Sequence, residues 1–280
     1  MQVVRRVDEI ELIIKKIKLQ GKTVGFVPTM GFLHEGHFSL VRESKTKCDI
    51  TVVSIFVNPL QFGVGEDFDV YPRDEAKDLK NLENLETDIV FLPDKKDFYP
   101  KGFSTFVEVE KFSNVMCGKS RPGHFRGVAT VVLKLLNIVC PDKLFLGQKD
   151  AQQVFIINRM VKDLDLSVDV CICPIVREED GLALSSRNIF LSGAERKDAV
   201  VIYKSLTSVK ALIDSGEKKA SLIKNKIVEQ LRSVSSLKVD YVEIVDFDSL
   251  EELDDVVKGN TLIAIAVYLG KTRLIDNFIV

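Results

Sequence analysis

Two of the chain's three histidines, His34 and His37, stand three residues apart in Pro28-Thr29-Met30-Gly31-Phe32-Leu33-His34-Glu35-Gly36-His37. The apolar run Val24-Gly25-Phe26-Val27 precedes this segment, and Phe38-Ser39-Leu40-Val41-Arg42-Glu43 follows it. The order reads as strand, glycine-containing turn and helix. Such a turn aims free backbone N–H groups and the positive end of a helix dipole at whatever binds there. Two imidazoles add donors that can follow charge as it moves, so the segment suits phosphate. Zinc hydrolysis needs H-E-x-x-H on one helix, and His34-Glu35-Gly36-His37 has the wrong spacing. A purely structural histidine pair is the competing reading, and Gly36 argues against it by permitting close backbone approach to a ligand.

Two further strings carry suitable groups. Gly147-Gln148-Lys149-Asp150 leaves the apolar run Leu144-Phe145-Leu146 and opens a helical pattern. Lys149 there is placed to meet phosphate oxygens, and Asp150 to cap the helix or take a ribose hydroxyl. A capped turn with a solvated lysine is the plainer alternative. Leu184-Ser185-Ser186-Arg187-Asn188 comes after Arg177-Glu178-Glu179-Asp180-Gly181. Its hydroxyls and guanidinium suit a pyrophosphate clamp, since arginine binds phosphate bidentately. Taken alone it also reads as an ordinary polar surface loop.

These residues need a scaffold. Ile10, Ile13, Ile14 and Ile17 recur at helical spacing and predict an amphipathic helix over 8–19, ended by Gly21. Strands are expected at 24–28, 50–57, 89–92 and 144–146. Helices are expected at 37–47, after Asp74 (with Leu79, Leu82 and Leu85), along Val128–Val139, and from Asp150. Apolar strands separated by helices imply a parallel sheet covered on both faces, with ligands bound beyond the carboxyl ends of its strands. The turns at Pro28, Asn58, Pro93 and Gly147 would then share one edge. Ser104–Glu110 alternates and predicts a strand outside the parallel set, a plausible edge for pairing. After about residue 175 the pattern changes to helices at 195–215 and 220–233, a strand at 239–245, and a strand pair at 261–268 and 273–279. The expected class is α/β: a Rossmann-like parallel sheet with helices on both faces over 1–175, plus a smaller C-terminal α+β domain over 176–280.

Composition sets outer bounds. The chain has 280 residues, is 46% hydrophobic and 29% charged, and carries a net charge of −2. That balance offers no electrostatic footprint for nucleic acid or an anionic membrane. No run approaches the ~18 apolar residues of a spanning helix. Charged residues follow Arg5-Arg6 where a signal peptide needs an apolar core. Five cysteines, an odd number, point to a reducing compartment and a cytoplasmic protein. Cys171 and Cys173 read as small buried apolar residues rather than a C-x-C metal site.

The H-x-G-H string resembles the nucleotidylyltransferase signature. In order along the chain stand P-T-M-G-x-L-H-x-G-H at 28–37, F-V-N-P-x-Q-F at 56–62, Y-P-R-D at 71–74, R-P-G-H-F-R-G-V at 121–128, G-x-K-D-x-Q-Q at 147–153 and L-S-S-R-N at 184–188. That series resembles the pantoate–β-alanine ligase family over essentially the whole chain. The resemblance implies a ligase of pantothenate biosynthesis that condenses pantoate with β-alanine through a pantoyl adenylate, using ATP and Mg²⁺ and releasing AMP and pyrophosphate. It implies ATP contacts from Met30, Gly31, His34, Gly36, His37, Gly147, Lys149, Asp150, Val176, Leu184, Ser185, Ser186 and Arg187. His37, the family's assigned proton donor, would act with His34, Lys149 and Arg187 on the reacting phosphates. Gln61 and Gln153 would hold pantoate, with Asn58 and Met30 beside them, and Phe62, Val131 and Val132 would offer it an apolar wall, with a place in the helix core the equal alternative for the two valines. It further implies a flap over residues 63–69 and Tyr71–Asp74, a C-terminal lid and a homodimer, and it assigns no metal-ligating residue. His124 falls outside the catalytic set, and Gln148 stands where the family often has a charged residue. The runner-up is a cytidylyltransferase-like enzyme, and a non-catalytic nucleotide-binding module is the reading from another class.

Overall fold

Strands with apolar central runs build the first unit of this computed structural model, which describes residues 1–280. In chain order its elements are β1 (Gln2–Val4), α1 (Val7–Leu19), β2 (Val24–Thr29), α2 (Glu35–Lys47), β3 (Ile50–Ile55), α3 (Glu75–Asn84) and β4 (Ile89–Phe91). Then come α4 (Lys95–Phe98), α5 (Cys117–Ser120), α6 (His124–Val139), β5 (Lys143–Gly147), α7 (Ala151–Asp163) and β6 (Asp169–Cys173). All six strands pair parallel in the order β1-β4-β3-β2-β5-β6. Adjacent residues of one strand point to opposite faces, yet Phe26 and Val27, Val52 and Val53, and Leu144 and Phe145 are all fully buried. Both faces of the central strands are therefore covered, as their apolar runs predict, while the edge strands β1 and β6 are partly exposed. Burying each such side chain contributes about 1.5–3 kcal/mol.

The strand order places a switch point at β2. The chain runs from β2 to β3 on one side and returns to β5 on the other, so the carboxyl ends of β2 and β5 lie side by side. Open parallel sheets bind ligands at such a position.

Several details differ from the periodicity. Helix α2 starts at Glu35, two residues earlier than expected, because the His34 side chain caps it. Ser104–Glu110 forms no strand: the Val107 N–H donates to Thr130 Oγ1 on α6 at 3.0 Å rather than to a strand neighbour. The short edge strand β1 carries too few residues to announce itself. Among the cysteines, Cys173 is buried, which pushes its thiol up to about 11, whereas Cys171 is only half-buried. No group of three or more His, Cys, Asp or Glu could hold a metal ion.

The second unit consists of Ile175–Val280 together with Gln148–Ala151. It holds α8 (Gly193–Asp198), α9 (Val200–Asp214), α10 (Ala220–Arg232), β7 (Leu237–Asp246), β8 (Thr261–Leu269) and β9 (Thr272–Ile279). The helical stretch expected over 195–215 is thus two helices that meet at Ala199. The strands form an antiparallel sheet in the order β7-β8-β9. Ile202, Leu206, Ile223 and Ile227 from the helices share one core with Ile263, Ile265 and Val267 of β8.

Candidate active site

The turn after β2 is fixed from below. The Thr29 hydroxyl donates to the Ser54 carbonyl at 2.8 Å and accepts from the Gly31 N–H at 3.2 Å. Gly31 and Phe32 both have positive φ, 82° and 51°. A Cβ on Gly31 would stand 3.0 Å from Ile55 and 3.2 Å from Asp78, so glycine suits both the conformation and the space. Asp78, on α3 and 2% exposed, accepts from the Phe32 and Leu33 N–H groups at 2.7 Å each. Burial pushes its carboxyl above the usual range against the pull of those two donors. Sequence patterning missed Asp78, which lies 45 residues from Leu33 and looks like any polar residue of a helix.

The two histidines cap α2 reciprocally. His34 Nδ1 accepts from the Gly36 N–H at 3.2 Å, and His37 Nδ1 accepts from the His34 N–H at 3.3 Å. Their ring centroids are 4.2 Å apart. A ring nitrogen that accepts carries no proton, so each imidazole is neutral with its hydrogen on Nε2. The helix N-terminus favours that state, since a cation there meets the positive dipole end. The segment therefore presents two Nε2–H donors from rings whose other nitrogens are committed to the backbone.

Gln61 sits in the 3-10 turn Pro59–Gln61 and is 7% exposed. Its Nε2 donates to Met30 Sδ at 2.9 Å, which joins it to the histidine turn. Asn58, 1% exposed, donates to Gln61 Oε1 at 3.1 Å and to the Gly127 carbonyl at 3.0 Å. Its Oδ1 accepts from the Leu60 N–H and the Tyr99 hydroxyl. All four hydrogen-bonding positions of Asn58 are thus taken within the protein, leaving it to orient Gln61. Close approach of α6 requires Gly127, where a Cβ would fall 2.1 Å from the Leu60 carbonyl oxygen.

The backbone carbonyl of Gln61 has its own support. His124 Nδ1 lies 2.8 Å from it and Arg121 Nη2 3.3 Å. A guanidinium can only donate, so Arg121 Nη1 donates to His124 Nε2 at 3.0 Å, and the His124 proton is on Nδ1. Arg121 also grips Glu66 through Nε and Nη2, at 2.8 and 2.5 Å. Burial would raise the Glu66 carboxyl, but the Arg121 hydrogen bonds and charge hold it below its ordinary value. Phe62 packs edge-on against Phe68 and Tyr71, folding the 62–71 segment on itself. Val131 and Val132 are buried in α6. Gln153 is half-buried in the first turn of α7.

In the second unit the bridge between Arg177 and Ala183 brings Val176 and Leu184 together, the Leu184 N–H donating to the Val176 carbonyl at 3.0 Å. Ser185 caps the 3-10 turn Ser186–Phe190 by accepting from the Arg187 N–H at 3.3 Å. Ser186 is buried and Arg187 half-buried. Lys149 Nζ stands 3.5 Å from Asp150 Oδ2. The Arg177 guanidinium holds the 2%-exposed Asp276 bidentately at 2.6 and 2.9 Å and lies 4.4 Å over Tyr203.

Known proteins resemble this chain over nearly its whole length. A family model described as pantoate-beta-alanine ligase matches residues 2–279. The pantothenate synthetase of Caldicellulosiruptor saccharolyticus is 55% identical over 100% of this chain and 99% of its own length. That of Thermosipho africanus is 53% identical over the full length of both. A crystal structure of pantothenate synthetase from Thermus thermophilus superposes with a TM-score of 0.94 at 42% identity, covering 99% of each chain. The pantoate-beta-alanine ligase of Francisella tularensis, complexed with beta-gamma ATP and beta-alanine, superposes at 0.81 with 37% identity, covering 100% of this chain and 97% of its own. The chain belongs to the pantoate–β-alanine ligase family.

Proposed function

We propose that the chain joins pantoate to β-alanine in two ATP-driven steps. The pantoate carboxylate attacks the α-phosphorus of ATP, the bond from that phosphorus to the bridging oxygen breaks, and pyrophosphate leaves pantoyl adenylate behind. The β-alanine amine then attacks the acyl carbon, the acyl–oxygen bond to the phosphate breaks, and AMP leaves as the nitrogen loses a proton. Phosphoryl transfer gives a protein little covalent work, so positioning and charge stabilisation dominate.

The observation that carries this function is the pair of neutral Nε2–H donors at the helix start beside the β2 switch point. Donors fixed in advance strengthen their hold as charge gathers on departing pyrophosphate, and one such donor contributes about 2.7–4 kcal/mol. His37 and His34 act as these donors, and Lys149, Arg187, Ser185 and Ser186 take further phosphate charge. Met30, Gly31, Gly36, Gly147, Asp150, Val176 and Leu184 contact the nucleotide. Gln61 and Gln153 hold pantoate, and Asn58 orients Gln61. A neutral amide suits that task, because a fixed positive charge would blunt the carboxylate as a nucleophile. The ligands of the Francisella tularensis relative support ATP and β-alanine as substrates.

Mg²⁺ would be carried mainly by the ATP phosphates, the usual mode for this ion, with one or two carboxylates. When bound, it neutralises phosphate charge. A C-terminal lid and a homodimeric assembly belong to the same proposal and rest on the family resemblance, and a cytoplasmic location rests on the odd number of cysteines. With ATP, pantoate and β-alanine, the protein is expected to release AMP and pyrophosphate one for one with pantothenate. A product that retains the nucleotide would mark nucleotidyl transfer instead.

A further inference from the structure

We infer that Asn277 is a positioning residue that sets the Gln148–Lys149 turn, and through it the Lys149 ammonium, for phosphate. The inference rests on the proposed contact of Lys149 with ATP. Asn277 lies on β9 and is 3% exposed. Its Nδ2 donates to two consecutive carbonyls, those of Gln148 at 3.0 Å and Lys149 at 2.9 Å. Carbonyls only accept, so these contacts fix which end of the amide is nitrogen. The Asn277 Oδ1 then accepts from Gln148 Nε2 at 3.3 Å. One side chain thus closes three hydrogen bonds around a single turn.

That turn needs outside support. Gln148–Asp150 is one turn of 3-10 helix, too short to hold its own direction. The Lys149 ammonium makes one ion pair, the 3.5 Å contact to Asp150, and lies within electrostatic reach of Asp276, so the backbone that carries it sets its position relative to both. The turn also groups with the C-terminal unit rather than with the strand and helix it connects. The clamp is anchored in turn: the Asn277 N–H donates to Asp276 Oδ1 at 2.8 Å, and Asp276 is held by Arg177. Successive strand residues face opposite ways, so Asp276 meets Arg177 on one face while Asn277 meets the Lys149 turn on the other.

The side chain is not needed to build the sheet. Asn277 pairs with Ala264 through the backbone ladder, which any residue could supply. The neutral amide of Gln148 is part of the device, since a carboxylate there would face Asn277 Oδ1 without a proton to give. Such a buried polar cluster is explained by the turn it orients.

The experiment compares Asn277→Ala and Asn277→Asp in the wild-type and Lys149→Ala backgrounds, with kcat and KM for each substrate and Tm. Asn277→Asp keeps the shape but puts a carboxylate oxygen against the two carbonyls in place of the Nδ2 donors, so it breaks the clamp without emptying the site if the alanine variant folds poorly. Either substitution is expected to lower kcat/KM for ATP on the order of 10- to 100-fold. In the Lys149→Ala background the same substitution is expected to cost less than about twofold, because the group it positions is gone. Equal losses in both backgrounds would assign Asn277 a purely structural role and overturn the inference. Wild-type kcat/KM in both Asn277 variants, with Lys149→Ala impaired, would overturn it as well. A fully active Lys149→Ala would instead remove the phosphate role of Lys149 and the inference with it.

Discussion

Each nitrogen of His34 and His37 has a separate task. Nδ1 accepts a backbone N–H and holds the start of α2, which leaves the ring hydrogen on Nε2. His34→Asn separates the two, because asparagine is a strong N-cap without a distal donor. It is expected to leave Tm within about 4 °C of wild type while adenylate formation slows about 10²- to 10³-fold. Equal losses of both would contradict the division of labour. Glu66 makes a pH prediction. Its folded-state carboxyl is lowered from 4.5 by Arg121, so it contributes stability above that value and loses it as pH falls through the lower folded value. Wild type should therefore exceed Glu66→Gln in Tm at pH 7, with the gap closing as pH falls below 4.5 and through the lower folded-state value. A gap independent of pH would contradict the Arg121 pairing. The histidines were legible in the sequence because a single turn carries them with their glycine. Asp78, Arg121 and Asn277 were not, because each acts on backbone 45 to 129 residues away, and only folding reveals what they touch.

At the scale of elements, packing distance decides function. The Pro59–Gln61 turn meets α6 only because position 127 lacks a side chain. Gly127→Ala would press a methyl against the Leu60 carbonyl and Gln61 nitrogen, at a stability cost of about 1–3 kcal/mol. It should also raise KM for pantoate through displacement of Gln61, with KM for ATP changed less. An unchanged Tm and KM would show that the contact is looser than the geometry states. The core strands and helices were legible because unbroken apolar runs and 3.6-residue stripes have few other solutions. Ser104–Glu110 misled because alternation marks an extended chain and not a partner: its Val107 N–H found Thr130 instead of a strand. Helix α2 outran its apolar pattern because a histidine, rather than a usual capping residue, starts it.

For the whole molecule, the parallel sheet supplies the switch point, and the turn after β2 supplies the donors. The grouping of Gln148–Ala151 with the C-terminal unit had no counterpart in sequence, where those residues simply join β5 to α7. What the order of motifs did convey was the family, since six short strings in register are far more specific than any one of them. Adenylation of a carboxylate is the central claim, and it predicts a partial reaction that needs no amine. Radiolabelled pyrophosphate should pass into ATP when the protein is given ATP, Mg²⁺ and pantoate, with β-alanine omitted. Exchange that is absent under those conditions, or that proceeds equally well without pantoate, would contradict it.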